Sequence, residues 1–584
     1  MLDGLRAWAR PRIIRSRQRL RQSEAAFILL AAAAGAAAGA LTRVQQSLAH
    51  GLQGLLYGVT FNRLSALGEI HHTWRLLALP LGGLALVLLG LMLGKRVRAP
   101  VDVVEANALH GGRIAPADNL LIAVQTIISN GAGASVGLEA AYTQMGGGFA
   151  SMMGQWLKLR RNDLRTLVGA GAGAGIGAAF GAPLAGAFYA FEIVIGSYTP
   201  AAVAPVIAAA LTGVTAAKVL GGEPWLMAIT DERLITFTDY LLYAGLGIAC
   251  ALLGIAIMRL VTLAEMRVQS WGWLGRWRPV AGGILLIPLA IASPQTLSAG
   301  HGALHLNLVL QPTVQVLLVL LGLKIAASVI SLSFGFRGGL FFASLFVGSL
   351  AGQIFAGAVN AAGLGLTVSP TDAALVGMAA LSVSIVGGPM TLALLMLETT
   401  HDFALMGVVL TAALLSSALT RELFGYSFST WRLHVRGSTI RGPRDIGWAS
   451  SLTAGRMMRR DWVQVPETCP IGVFRARVPL GSASKALLVD GQGRYRGIVP
   501  TAAAYAADLA PDAPIALLAG MKDEVLRPSD DAHAIIALFD RLSADELAVV
   551  DDAGVVVGVV TERHARRRYL HELENAQRTL FGEA

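Results

Sequence analysis

One carboxylate stands out for its chemistry. Glu139 lies at the centre of "SNGAGASVGLEAAYTQMGGG" (Ser129–Gly148), a small, apolar, glycine-rich stretch with no lysine or arginine within ten residues on either side. An acid at the centre of a bilayer costs about 2.5–3.5 kcal/mol to insert, so its presence asks for a reason. One reason is structural: a buried acid hydrogen-bonded to backbone. The other is chemical. "NGAGASVG" is a poor helix former and reads as a loop that ends at a helix N-terminus. There, unpaired N–H groups and the positive end of the helix dipole bind anions. A carboxylate beside that site occupies it as an internal anion. It leaves when an external anion competes or when it takes up a proton, and that combination is a gate.

Other chemistries find little support. No phosphate loop or HExxH helix is present. The run "GAGAGAGIGAAFGAP" from Gly169 lacks the preceding strand that a dinucleotide site needs and reads as close helix packing. The His71–His72 and His301/His305 pairs are expected to be loop residues, because neither has a third ligand nearby. Cys250 and Cys469 stand in regions of different character, against a disulfide framework or a thiolate metal site. No metal, no resident cofactor and no enzymatic constellation are expected.

The elements that must position Glu139 are membrane helices. Of 584 residues, 54% are hydrophobic and 14% charged, against about 25% charged in soluble chains. Residues 24–50, 75–94, 164–215, 238–258, 279–293, 313–350 and 372–397 are nearly free of charge. A spanning helix needs roughly 20 apolar residues, so the chain is polytopic. The net charge of +10 reflects arginine-rich segments before the first apolar run and after the last. That is the cytoplasmic bias of membrane proteins rather than a nucleic-acid surface, and it puts both termini in the cytoplasm.

An internal repeat organises these helices. "GAPLAGAFYAFE" (Gly181–Glu192) and "GGPMTLALLMLE" (Gly387–Glu398) share Gly-x-Pro and a glutamate nine residues after the proline. "GLEAAYTQMG" from Gly137 parallels "GLFFASLFVG" from Gly339 at a similar offset. Two related halves follow, about 25–220 and 235–435, as in transporter folds whose substrate site lies where interrupted helices meet. The tail repeats as well: Asp490/Asp551, Gly493/Gly554 and Gly497/Gly558 mark two copies of strand, turn and strand.

Taken together these motifs resemble the chloride channel (CLC) family of anion channels and proton-coupled antiporters. "GLEAAYTQMGG" is similar to its "GxEGPxxQxGG", and "GGLFFASLFVG" to its "GGIFAPSLFIG" anion-binding helix start. The resemblance implies an all-α polytopic fold of two inverted repeats with broken and re-entrant helices. It implies Glu139 as gating glutamate and possible proton acceptor. Backbone around Gly137, Leu138, Ala140, Gly339, Leu340, Phe341 and Phe342 would bind the anion, with the Tyr426 hydroxyl at an inner site. The family's central serine position falls on Val97, flanked by Arg96 and Arg98. Valine cannot donate to an anion, whereas Arg98 can attract one. Prolines of the second motifs are replaced by Ala141 and Ala343. The acid that antiporters often carry after the helix glutamate is here Ile193, so channel and antiporter stay equally open.

The tail resembles an α+β pair of cystathionine-β-synthase (CBS) domains. An adenine nucleotide would use Thr561, but His564 stands where a ribose-binding acid is usual. The expected organisation is a basic segment 1–23, a transmembrane domain 24–436, a linker 437–459, CBS copies 460–511 and 512–575, and a tail 576–584. The expected function is transport of chloride or a similar small anion by a homodimer in a bacterial inner membrane, with protons as a further partner. A membrane sensor acting through the CBS pair is the alternative from another class.

Overall fold

The structure is a computed structural model that describes residues 23–59, 64–70, 72–93, 100–222, 235–363, 365–435 and 452–581. It divides into two compact units, Met1–Arg444 and Asp445–Ala584. Among the described residues, seven helices are long and apolar enough to cross a bilayer.

The membrane unit is built twice from one plan. The first half runs through helices Glu24–Tyr57, Ala78–Met92, Val103–Leu109, Pro116–Gly131, Glu139–Trp156, Arg161–Phe180, Pro183–Tyr189 and Pro200–Val219. The second runs through Phe237–Ser270, Arg278–Ala292, His301–Leu310, Val314–Ser333, Phe341–Ala361, Pro370–Val386, Pro389–Thr400 and Phe403–Leu423. The opening helix is 34 residues long in both halves, and the next is 15 in both. At 1.5 Å per residue the long pair reach about 51 Å, well beyond a hydrocarbon core of about 30 Å, so they tilt or project. A ninth helix, Phe428–Val435, follows the second half.

Local chemistry sets the helix starts. Proline at the first position, where its missing N–H costs nothing, opens the helices at Pro116, Pro183, Pro200, Pro370 and Pro389. Asp102 caps its helix by accepting the Glu105 N–H at 2.8 Å, and Asp402 does so from Leu405 at 3.1 Å.

Close approach sets the packing. Gly146 and Gly171 face one another where the Glu139–Trp156 and Arg161–Phe180 helices cross. Gly348 and Gly377 do the same between the equivalent helices of the second half. A Cβ at any of the four would run into the partner's backbone carbonyl, so only glycine permits these crossings. One large apolar core contains residues of both halves, including Val136, Ile176, Leu340 and Leu381.

The C-terminal unit carries the tail repeat. Strand β1 (Gln464–Pro466) pairs parallel with β2 (Lys485–Val489), which pairs antiparallel with β3 (Tyr495–Pro500); β4 (Glu546–Val550) and β5 (Val556–Thr561) form the second hairpin. Both hairpins shift register at equivalent points, Leu488/Val489 and Val549/Val550. Both turns are closed by the aspartate: Asp490 Oδ1 accepts from Gln492 and Arg494, and Asp551 Oδ1 from Ala553 and Val555. Apolar residues of both hairpins, among them Leu487, Ile498, Ala548 and Val559, share one cluster.

Candidate functional site

The site begins with two glycines. The Gly137 N–H donates to Gly339 O at 2.9 Å and the Gly339 N–H donates to Gly137 O at 3.2 Å, an isolated antiparallel bridge between equivalent residues of the two halves. A two-fold relation between inverted repeats produces this pairing. The Glu139–Trp156 and Phe341–Ala361 helices start immediately beyond it. Their N-caps, Leu138 and Leu340, are buried and supply no side-chain acceptor. Two helix N-termini therefore converge with backbone donors left over.

Glu139 fills that convergence. It is 4% exposed. The backbone N–H groups of Glu139 and Phe342 serve its carboxylate, while Oε2 has no hydrogen-bond partner. Gly137 leaves the room: a Cβ there would stand 2.7 Å from Glu139 Cδ and 2.9 Å from Oε1. On the other side, a Cβ at Gly339 would stand 3.4 Å from Oε2.

Beside the carboxylate lies a cavity of about 140 Å³ lined by Glu139, Ala140, Gly339, Leu340 and Phe341, and also by Asp102, Thr143, Gln144, Tyr189, Arg337, Ser429 and Arg432. Its mix of charged, hydroxyl and backbone groups suits a small hydrated anion. Gln144 Nε2 donates to Val101 O at 3.4 Å, tying the Glu139 helix to the segment before Val103. Arg432 is paired with Glu265 at 3.4 Å.

The expected residues are not all together. Phe342 contributes its N–H, but its ring is fully buried, stacked 3.5 Å from the His301 ring. Leu138 packs away from the cavity against Ala49 and Tyr142. Tyr426 lines a second cavity of about 340 Å³, which shares Val104, Ile193, Val386 and Ser429 with the one beside Glu139. Its hydroxyl meets His434 Nδ1 at 3.3 Å, and its ring packs on Trp431. Ser429, at the start of the Phe428–Val435 helix, lines both cavities. Val97, Arg96 and Arg98 lie outside the described residues. Thr561 Oγ1 accepts the His564 N–H at 3.4 Å, at the start of the Glu562–Phe581 helix.

The helix glutamates of the repeat cap each other's halves. Glu192 accepts from the N–H groups of Met390 (3.2 Å) and Thr391 (2.9 Å), at the start of the Pro389 helix. Glu398 accepts from Leu184 (2.9 Å) and Ala185 (2.8 Å), at the start of the Pro183 helix. Each carboxylate neutralises the positive end of the other half's helix. Ile193 follows Glu192 on a π-helical turn, Ala190–Ile195, and lines both cavities.

Sequence reasoning missed several groups. His301 and His305 belong to a helix rather than a loop, since the turn at Gly300 (φ 102°) starts one. Lys324 is fully buried and donates to Thr296 O (3.2 Å) and Ser298 O (2.7 Å). Thr143 and Tyr189 reach the cavity. Thr143 was legible, four residues after Glu139 on the same helix face. Tyr189 had no local signal.

A family model described as voltage gated chloride channel matches residues 96–421. A ClcB-like protein of Ralstonia nicotianae is 28% identical over 56% of this chain and 79% of its own length. The voltage-gated ClC-type chloride channel ClcB of Escherichia coli O81 is 26% identical over 62% of this chain and 87% of its own. Among solved structures, a slow cyanobacterial Cl⁻/H⁺ antiporter is similar with TM-score 0.60 and 22% identity, over 70% of this chain and 97% of that one. A eukaryotic CLC transporter matches with TM-score 0.60 and 17% identity over 92% of this chain and 97% of that one, which extends the shared fold into the C-terminal unit.

Proposed function

Because this chain belongs to the voltage-gated chloride channel family, we propose that it carries chloride or a similar small monovalent anion across the membrane, with Glu139 as its gate. The observation that carries this reading is the Glu139 carboxylate seated where two uncapped helix N-termini converge, with one oxygen unpartnered. An ionised carboxylate there is a tethered competitor for the permeating anion. Backbone donors of fixed geometry hold either one, since both are compact acceptors of hydrogen bonds. Protonation removes the charge and one acceptor, so the side chain leaves and the anion enters. Raising the pH keeps Glu139 ionised and lowers transport.

The similarity to a cyanobacterial Cl⁻/H⁺ antiporter supports proton coupling. The protein works as a homodimer in a bacterial inner membrane, with both termini cytoplasmic, as the arginine-rich flanks indicate. The C-terminal pair is a CBS-type packing module, a reading supported by the cap that Thr561 provides to the following helix. The test is anion flux in proteoliposomes. Glu139→Gln, neutral at every pH, is expected to conduct at high pH with no pH dependence. Flux that still falls as the pH rises overturns the gate.

A further inference from the structure

We infer that Asp102 and Tyr189, with Thr143, carry protons through the cavity beside the gate to Glu139. This rests on Glu139 being the gate and supplies what Ile193 lacks, a titratable group after the helix glutamate.

The geometry brings four proton-bearing groups from three elements to one cavity. Asp102, Thr143, Tyr189 and Glu139 all line it. The Tyr189 hydroxyl lies within interaction range of the Thr143 side chain and of both Asp102 and Glu139. The Thr143 hydroxyl donates to the Glu139 backbone carbonyl at 3.0 Å, one helical turn back, which keeps it beside the gate. The Tyr189 ring is held against Phe341, centroids 6.2 Å apart, at the start of the second anion-binding helix.

The placement of Asp102 is rigid. One oxygen, Oδ1, is used as a helix cap. The short helix it caps is clamped from behind. Asn107 Nδ2 donates to Val194 O at 2.8 Å, and Arg165 donates to Asn107 O (3.0 Å) and Ile195 O (3.2 Å). The same π turn that carries Ile193 thus anchors the short helix that Asp102 caps. The charged and titratable groups facing this cavity, among the described residues, are Asp102, Glu139, Tyr189, Arg337 and Arg432. Asp102 is the one carboxylate there besides the gate. Glu192 is committed to Thr391, and Glu265 to Arg432.

A cavity of about 140 Å³ holds several waters. A proton leaves the Asp102 carboxyl for a water or for the Tyr189 oxygen. The Tyr189 proton passes to Thr143, and the Thr143 proton passes through water to the Glu139 carboxylate. One O–H bond breaks at Asp102 and one forms at Glu139. Asp102 is left ionised and takes its next proton from bulk water, so no co-reactant is needed.

The test is simultaneous recording of proton and anion flux from proteoliposomes holding the full chain. Asn is as good a helix cap as Asp, so Asp102→Asn keeps the fold while removing the proton carrier. Its proton flux is expected to fall on the order of 10²-fold relative to its anion flux. Tyr189→Phe keeps the ring contact and is expected to lower the same ratio. Both variants retaining the wild-type proton-to-anion ratio overturns the inference, as does a wild type that moves anions and no protons. Glu139→Gln separates the two levels. If it is uncoupled while Asp102→Asn stays coupled, the gate stands and the relay fails. If Glu139→Gln itself stays coupled, the gate reading is what has failed, and the relay with it.

Discussion

Gly137→Ala tests how Glu139 is seated. Gly137 has no positive φ, so alanine meets no backbone strain there. Its N–H and C=O remain free to pair with Gly339. What changes is space. The new Cβ would stand 2.7 Å from Glu139 Cδ, against a comfortable carbon–carbon separation of about 3.5–4.0 Å. The carboxylate must therefore withdraw by roughly 1 Å, enough to break the hydrogen bond from Phe342. A hydrogen bond to a charged group contributes about 1.5–3 kcal/mol, which corresponds to about a 10- to 150-fold shift from seated to unseated carboxylate. Anion flux into proteoliposomes at neutral pH should rise towards the acid-pH level of the wild type. The effect should vanish in the Glu139→Gln background, because the two changes act on one contact. A Gly137→Ala protein with wild-type flux and pH dependence refutes the reasoning. So does one whose gain persists without the carboxylate.

Other outcomes follow from the same geometry. Glu398→Gln and Glu192→Gln each weaken a cap made across the two halves, and each should cost about 1–2 kcal/mol, read as a lowered melting temperature in detergent. An unchanged melting temperature for both means that the cross-caps contribute nothing. In the C-terminal unit, the Arg494 N–H, with Gln492 and Arg496, holds the Asp490 carboxyl below the usual carboxylate range. The stability this supplies is present above the unfolded value of about 4 and is lost as the pH falls through the lower folded value. Hydrogen exchange of the Lys485–Pro500 hairpin, corrected for intrinsic rates, should show protection falling on acidification in the wild type. In Asp490→Asn the fall should be smaller, and equal falls in both proteins contradict the assignment.

Much of this molecule is legible in the chain. Charge-poor runs of spanning length, a lone acid among glycines and two repeats are local properties of composition and order, so they survive without coordinates. Glu139 could be picked out because an acid in a bilayer is costly whatever surrounds it. Tyr426 shows the limit. It lines the second cavity, and which cavity a residue of this segment meets is set by how its helix packs and not by its type: Ser429, three residues on, lines both. The pairing of Gly137 with Gly339, the exchange of Glu192 and Glu398 between halves, and the meeting of Asp102, Thr143 and Tyr189 were decided only by the tertiary structure. The physical reason is distance along the chain. A helix start or an amphipathic face is set by neighbours within one or two turns. The partner of an uncapped N-terminus or a buried carboxylate is chosen by which helices pack together, here from segments about two hundred residues apart.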